Sequence, residues 1–175
     1  MTKIIAFSGS NSSKSINQTL VKHAASLVEN HEVEVLDLRN YESPMFSLDI
    51  EAKDGHPEIV KQLEAKISES TTLLIAVPEY NGFMPSFFKN TIDWLSRINK
   101  EFLKGKEIIM LSTSPGGYGG KQSLEHTTSI LPRFGGEVIG TYSLANFYEK
   151  VNLENGFRFT DTEEQNKLKE VLSKL

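Results

Sequence analysis

The feature that most constrains this chain is a set of short apolar runs alternating with segments of helical spacing. Ile4–Phe7, Leu73–Val77 and Ile108–Leu111 are apolar at every position, as strands covered on both faces require. Glu32–Leu38 alternates with period two, and Glu137–Leu144 carries polar or small interruptions, as edge strands can. Between these runs, Ile16, Leu20, Ala24, Leu27 and Val28 predict a helix over Ser15–Glu29, with Ser15 and Gln18 spaced for a capping box. Pro57 opens a helix carrying Ile59, Leu63 and Ile67, and Pro85 opens one carrying Phe88, Ile92 and Leu95. A further helix is expected over Lys121–Pro132. The tail from Asp161, with Leu168, Val171, Leu172 and Leu175, closes the chain as a last helix, while Arg39–Gly55 reads as irregular.

Five strands alternating with helices imply a parallel sheet covered on both faces. With strands two and five at the edges, the expected order is 2-1-3-4-5, an α/β, flavodoxin-like three-layer sandwich with a five-stranded parallel sheet. The length of 175 residues is that of one domain, so residues 1–175 are expected to fold as a single unit.

Several function classes drop out. The chain has no cysteine, which removes disulfides, thiolate metal sites and a cysteine nucleophile. Nineteen basic against 23 acidic side chains give a net charge of −4, the wrong sign for a nucleic-acid or anionic-membrane binder. The apolar run at Lys3–Phe7 breaks at Ser8-Gly9-Ser10, too short for a signal peptide or a membrane span, so a cytoplasmic protein is expected. His23, His31, His56 and His126 are scattered without metal-ligand spacing, and no metal site is expected. GxSxG and P-loop patterns are missing too: Gly120-Lys121 is followed by Gln122 where a P-loop needs Ser or Thr.

In an open sheet of this order, ligands bind beyond the carboxyl ends of the strands, beside the switch in strand order. The loops after strands one, three and four meet there. Ser8–Asn17 offers five serine hydroxyls, two asparagines, Lys14 and a run of N–H groups at a helix N-terminus, which suits a phosphate. Pro78–Pro85 is stiffened by two prolines and turned by Asn81-Gly82. Thr113–Gly120 has four glycines in five positions, which lets backbone approach a flat ligand. A site rich in loops and poor in acids and bases points to a bound organic cofactor that carries the chemistry.

With these loops in view, the chain from Lys3 to about Leu144 resembles the NADPH-dependent FMN reductase family, flavodoxin-like enzymes that include quinone, azo-dye and chromate reductases. The most specific likeness is Pro78-Glu79-Tyr80-Asn81-Gly82, then Pro85, Lys89-Asn90 and Ile92-Asp93-Trp94. The first loop is similar to the family's GSxRxxSxN pattern at Gly9-Ser10, Ser15 and Asn17. It departs at Ser12, where the family commonly has an arginine, and Lys14 stands two residues on. The resemblance implies that Ser10, Ser12, Ser15 and Asn17, with the Ile16 amide, hold the phosphate of FMN. It implies that Pro78, Glu79, Tyr80 and Asn81 run along the isoalloxazine, mostly through backbone, with Thr113, Ser114, Gly117 and Tyr118 at its other edge. It also implies NADPH or NADH as electron donor, a small-molecule acceptor, no obligate catalytic acid or base, and a homodimer or homotetramer.

A flavodoxin-type electron carrier with protein partners is the competing reading, although such carriers are usually far more acidic than −4. A dimer contact is expected at the helix from Pro85, because Phe83, Met84, Phe87 and Phe88 cannot all face one sheet.

Overall fold

The structure, a computed structural model, describes residues 3–175. In chain order it runs β1 (Lys3–Ser8), α1 (Ile16–Ser26), β2 (Glu32–Val35), a 3-10 turn at Leu38–Tyr41, α2 (Leu48–Asp54) and α3 (Glu58–Glu69). Then come β3 (Thr72–Ala76), α4 (Ser86–Ile98), β4 (Glu107–Thr113), α5 (Lys121–Ile130), a 3-10 turn at Leu131–Phe134 and β5 (Glu137–Leu144). The chain ends with α6 (Phe147–Lys150), β6 (Val151–Asn152), β7 (Arg158–Phe159) and α7 (Thr162–Leu172). The main sheet is parallel throughout, in the order β2-β1-β3-β4-β5. Fold class and strand order are those the apolar pattern implies.

Because successive residues of a strand point to opposite faces, each central strand feeds two cores. Ile5 and Phe7, Leu73, Ile75 and Val77, and Ile108 and Met110 face one side, where α3, α4 and α5 pack with Leu63, Phe88, Ile92, Trp94 and Leu124. Ile4 and Ala6, Leu74 and Ala76, and Ile109 and Leu111 face the other, under Leu20, Val21 and Ala24 of α1 and Leu168 and Leu172 of α7.

Several sequence expectations are corrected in detail. β2 is shorter than Glu32–Leu38, since the Asp37 carboxylate accepts the Arg39 N–H at 3.1 Å and starts a turn. The Arg39–Gly55 stretch contains α2, started by Ser47, whose Oγ accepts the Ile50 N–H. The small antiparallel ladder of β6 and β7 went unread, because two-residue strands carry no period. Met84 and Phe87 do not form a free aromatic surface: Met84 is 7% exposed in the core and Phe87 packs beside it. Residues 83–85 precede α4, so helical spacing does not govern where they point. Only Phe83 of that group faces outward, resting edge-on against His126 of α5 at 5.2 Å.

Candidate functional site

The carboxyl ends of β1, β3 and β4 carry their three loops to one place, and hydrogen bonds tie them together. Gly9 N–H donates to Ala76 O at 2.9 Å, and Val77 N–H donates to Leu111 O at 2.8 Å. Ser112 Oγ donates to Val77 O at 2.7 Å. Gly9 has to be glycine for this approach, since a Cβ there would stand 2.6 Å from Cγ of Phe88.

The first loop is held by its own hydroxyls. Ser10 Oγ accepts the Ser12 N–H at 3.1 Å, Ser12 Oγ accepts the Lys14 N–H at 3.2 Å, and Ser15 Oγ caps α1 by accepting the Gln18 N–H at 3.1 Å. Each of these three oxygens accepts one backbone N–H and keeps its hydrogen and a second lone pair to offer. The first-turn N–H groups of Ile16 and Asn17 have no intrahelical acceptor either. A loop of outward-facing donors at the positive end of a helix dipole is matched to an anion. The reciprocal half of the capping box does not form. Gln18 instead spans two strands: its Oε1 accepts the Ser8 N–H at 3.1 Å and its Nε2 donates to Leu36 O at 3.1 Å.

Asn17 also bridges two elements. Its buried side chain donates from Nδ2 to Thr113 O at 2.9 Å and accepts the Thr113 N–H on Oδ1 at 3.0 Å. The amide therefore locks α1 to the end of β4, leaving mainly its backbone N–H for a ligand. Thr113 is fastened on its other side, where Oγ1 donates to Leu144 O at 2.7 Å.

The second loop is a tight turn. Asn81 and Gly82 both take positive φ, 54° and 83°, while Tyr80 and Phe83 exchange N–H to O bonds of 2.9 and 3.2 Å. Two successive positive-φ residues are what a type I′ turn demands, and Asn-Gly supplies them at low cost. The turn leaves Tyr80 and Phe83 more than half exposed. Glu79 points away from the loop: its carboxylate accepts the Ser123 N–H at 3.1 Å in the first turn of α5, and Ser123 Oγ donates to Pro78 O at 2.8 Å.

The Lys89-Asn90 and Asp93-Trp94 pairs lie on α4 and serve the scaffold. Asn90 accepts the Phe46 N–H at 2.7 Å and donates to Pro44 O at 3.0 Å, and Trp94 Nε1 donates to the same carbonyl at 2.8 Å. Lys89 and Asp93 pair along the helix at 2.6 Å. Asn90 and Trp94 thus pin the segment before α2.

In the third loop, Thr113 is buried and Ser114 half-buried, whereas Gly117 and Tyr118 are exposed. Gly120 starts α5 at φ 71°, and a Cβ there would run into Ser112 Oγ. Tyr118 lies just ahead of this point, with 79% of its surface exposed.

Sequence reasoning did not find the surroundings of the first loop. A cavity of about 320 Å³ there is lined not only by Ser10, Ser12, Lys14, Ser15 and Ile16 but also by Lys22, Asp37, Arg39, Tyr148 and Leu153. Arg39 Nε donates to both carboxylate oxygens of Asp37, at 2.9 and 3.0 Å. That guanidinium holds the Asp37 carboxyl below the usual carboxylate range, against the opposing effect of burial and with a lesser contribution from the charge of Lys22.

The sequence profile described as NADPH-dependent FMN reductase matches residues 2–150. An NAD(P)H-dependent FMN reductase of Pseudomonas aeruginosa is 32% identical over 130 residues, 74% of this chain and 69% of that protein. A quinone reductase of Escherichia coli is 35% identical over 88 residues, and the match spans 50% of this chain and about half (47%) of that relative. Among solved structures, the flavoenzyme NAD(P)H:(acceptor) oxidoreductase FerB of Paracoccus denitrificans superposes with a TM-score of 0.79 at 26% identity, over 99% of this chain and 94% of that one.

Proposed function

The chain belongs to the NADPH-dependent FMN reductase family, and on that premise we propose that it is an oxidoreductase carrying electrons from NAD(P)H through FMN to a small acceptor. The acceptor class is free flavin, a quinone, an azo compound or a metal oxyanion. The observation that carries the reading is the first loop, where Ser10, Ser12 and Ser15 each accept one backbone N–H and keep a hydroxyl hydrogen to donate, beside the first-turn amides of α1. Donors gathered at the positive end of a helix dipole suit a phosphate monoester.

In this reading Ser10, Ser12 and Ser15, with the Ile16 and Asn17 amides, hold the FMN phosphate, and Lys14 supplies charge where the family commonly has an arginine. Pro78–Asn81 runs along the isoalloxazine through backbone groups, and Thr113, Ser114, Gly117 and Tyr118 border its other edge. Bound FMN supplies the redox chemistry, a two-electron exchange at its ring system. The net reaction oxidises the nicotinamide to NAD(P)+ and reduces the acceptor by the same two electrons, with a quinone taking its second proton from water. The protein's part is to bind, orient and shield. Asn17 fixes the third loop against the first, and Glu79, the carboxylate nearest the second loop, is committed to α5 instead of to proton transfer.

We further infer a homodimer or homotetramer, supported by the exposed Met45 and Leu48 beside α4 and by Phe83. Sedimentation of the flavin-loaded chain as a single-chain species overturns that part alone.

The test of function is anaerobic. Protein loaded with FMN and gel-filtered is mixed with NADPH, and the flavin band is expected to bleach and then to recover on adding a quinone. A chain that loses FMN on the column, or a band that neither NADPH nor NADH bleaches, would falsify the reading.

A further inference from the structure

We propose that the turn after β2 forms a second wall of the flavin-phosphate site, with the Arg39 guanidinium as a paired donor to the phosphate opposite the serine loop. This inference rests on the functional reading above and adds to it a ligand that the first loop does not contain.

The sheet brings the two segments together. β2 pairs with β1 in parallel up to Ala6 and Val35, and the Leu36 N–H donates to Ala6 O at 2.8 Å, so the two strands deliver their carboxyl ends side by side. Gln18, in the first turn of α1, donates from Nε2 to Leu36 O at 3.1 Å and fastens the helix behind the first loop to the exit of β2. Asp37 and Arg39 follow at once, and they line the same cavity of about 320 Å³ as Ser10, Ser12 and Ser15.

The charge on this wall matches a phosphate. Lys14, Lys22 and Arg39 stand against the carboxylate of Asp37, an excess of two positive charges in a chain whose net charge is −4. A phosphate monoester carries about −1.5 to −2 near neutral pH. Charge concentrated against the overall balance, beside a helix N-terminus, draws in an anion.

Of the three cations, Arg39 alone is a planar fork, and it is already held on one edge. Asp37 accepts its Nε hydrogen on both oxygens, at 2.9 and 3.0 Å, and one Nη2 hydrogen as well. Three of the five N–H donors are left, in a geometry suited to two oxygens of one phosphate. A side chain fixed in this way gives up little freedom when it takes a ligand on its other edge. The carboxylate, for its part, has both oxygens spent on the arginine.

The experiment titrates the flavin-free full chain with FMN and with riboflavin, which differ by the phosphate alone, and reads the quenching of flavin fluorescence. Arg39→Ala is expected to weaken FMN at least about tenfold, to leave riboflavin within about twofold, and to flatten the decline of FMN affinity with salt. Riboflavin binding thus serves as the control for folding. Because Arg39→Ala also uncovers the Asp37 carboxylate, the same change is read in an Asp37→Asn background. The asparagine oxygen can keep the bond to the backbone N–H of residue 39 and brings no charge. The loss of FMN affinity is expected to persist there. An FMN affinity untouched by Arg39→Ala overturns the inference, and so does an equal loss for FMN and riboflavin. A loss that vanishes in the Asp37→Asn background overturns it too, since the arginine would then only neutralise its neighbour. Failure of the functional reading shows elsewhere, as a flavin band that neither NADPH nor NADH bleaches, whatever the fluorescence reads.

Discussion

The loops after β1 and β3 meet at one end of the sheet, yet they are built on opposite principles. The first is polar and locally bonded, with the oxygens of Ser10, Ser12 and Ser15 accepting N–H groups of the loop and of the first turn of α1. The second is rigid and tied to distant elements, through a positive-φ Asn-Gly turn and through Glu79 and Pro78 on α5. The Lys89-Asn90 and Asp93-Trp94 pairs that follow it look most like a signature, yet Asn90 and Trp94 hold the segment around Pro44 and Lys89 and Asp93 pair with each other along α4. In the proposed reading it is the less distinctive serine loop that carries the binding chemistry. Specific spacing arises wherever geometry is tightly shared, and a scaffold shares it as readily as a site does.

That contrast can be broken most forcefully at Trp94. Its side chain is fully buried and its Nε1 donates to Pro44 O. Trp94→Ala should cost about 3–5 kcal/mol of stability, read from urea denaturation. A loss within about 0.5 kcal/mol, the range of a surface change, would mean that the signature is not a scaffold feature.

A paired comparison at the first loop comes next in size. Asn17→Ala strands the Thr113 N–H and C=O in a buried place, at about 1–3 kcal/mol for each group. Ser15→Ala removes only a cap, about 1 kcal/mol of stability, and should weaken FMN by roughly tenfold through the lost hydroxyl donor. Unfolding midpoints and FMN titrations on both variants separate the two roles. If Asn17→Ala proves the milder in denaturation and the more damaging to FMN in proportion, the amide binds ligand after all.

The smallest effect lies at the far end of α1. His23 stacks on Phe157 with ring centroids 4.0 Å apart, and burial lowers its pKa from the ordinary 6.5. The unfolded chain therefore takes up a proton there that the folded chain resists. Stability should decline as pH falls below 6.5 toward the lowered value, and return as pH rises. Carboxylates held low by partners, such as Asp37 and Glu51, act further down, below their ordinary range. Denaturation from pH 7 to 5 should show a slope that His23→Gln flattens, with FMN affinity unchanged. An unaltered slope would show that the stack does not sense the proton.

The fold was readable from the residues because its signals are local. Ile4–Phe7, Leu73–Val77 and Ile108–Leu111 declare buried strands by composition, and β1, β3 and β4 are found there. Ser15 announces a helix start by capping chemistry, and its Oγ accepts the Gln18 N–H. The site was readable as far as its loops. The bonds of Asn17 to Thr113 were not legible, because nothing in its neighbourhood in sequence indicates that Thr113 lies opposite. Met84 was misjudged because helical spacing says nothing about residues ahead of a helix.

By itself, then, the sequence determined the five strands of the main sheet, the longer helices between them, their order across the sheet, and which loops share an end. Periodicity and capping are set by neighbours within a few residues, so they survive reading in one dimension. Tertiary structure alone decided that Asn17 spends its amide on Thr113 and that Asn90 and Trp94 grip Pro44. It also decided that Lys22, Arg39 and Tyr148 stand around the cavity of the serine loop. Those are pairings between segments far apart in the chain. Their partners are chosen by how two helices and a twisted sheet happen to meet, and no spacing along the chain encodes that meeting.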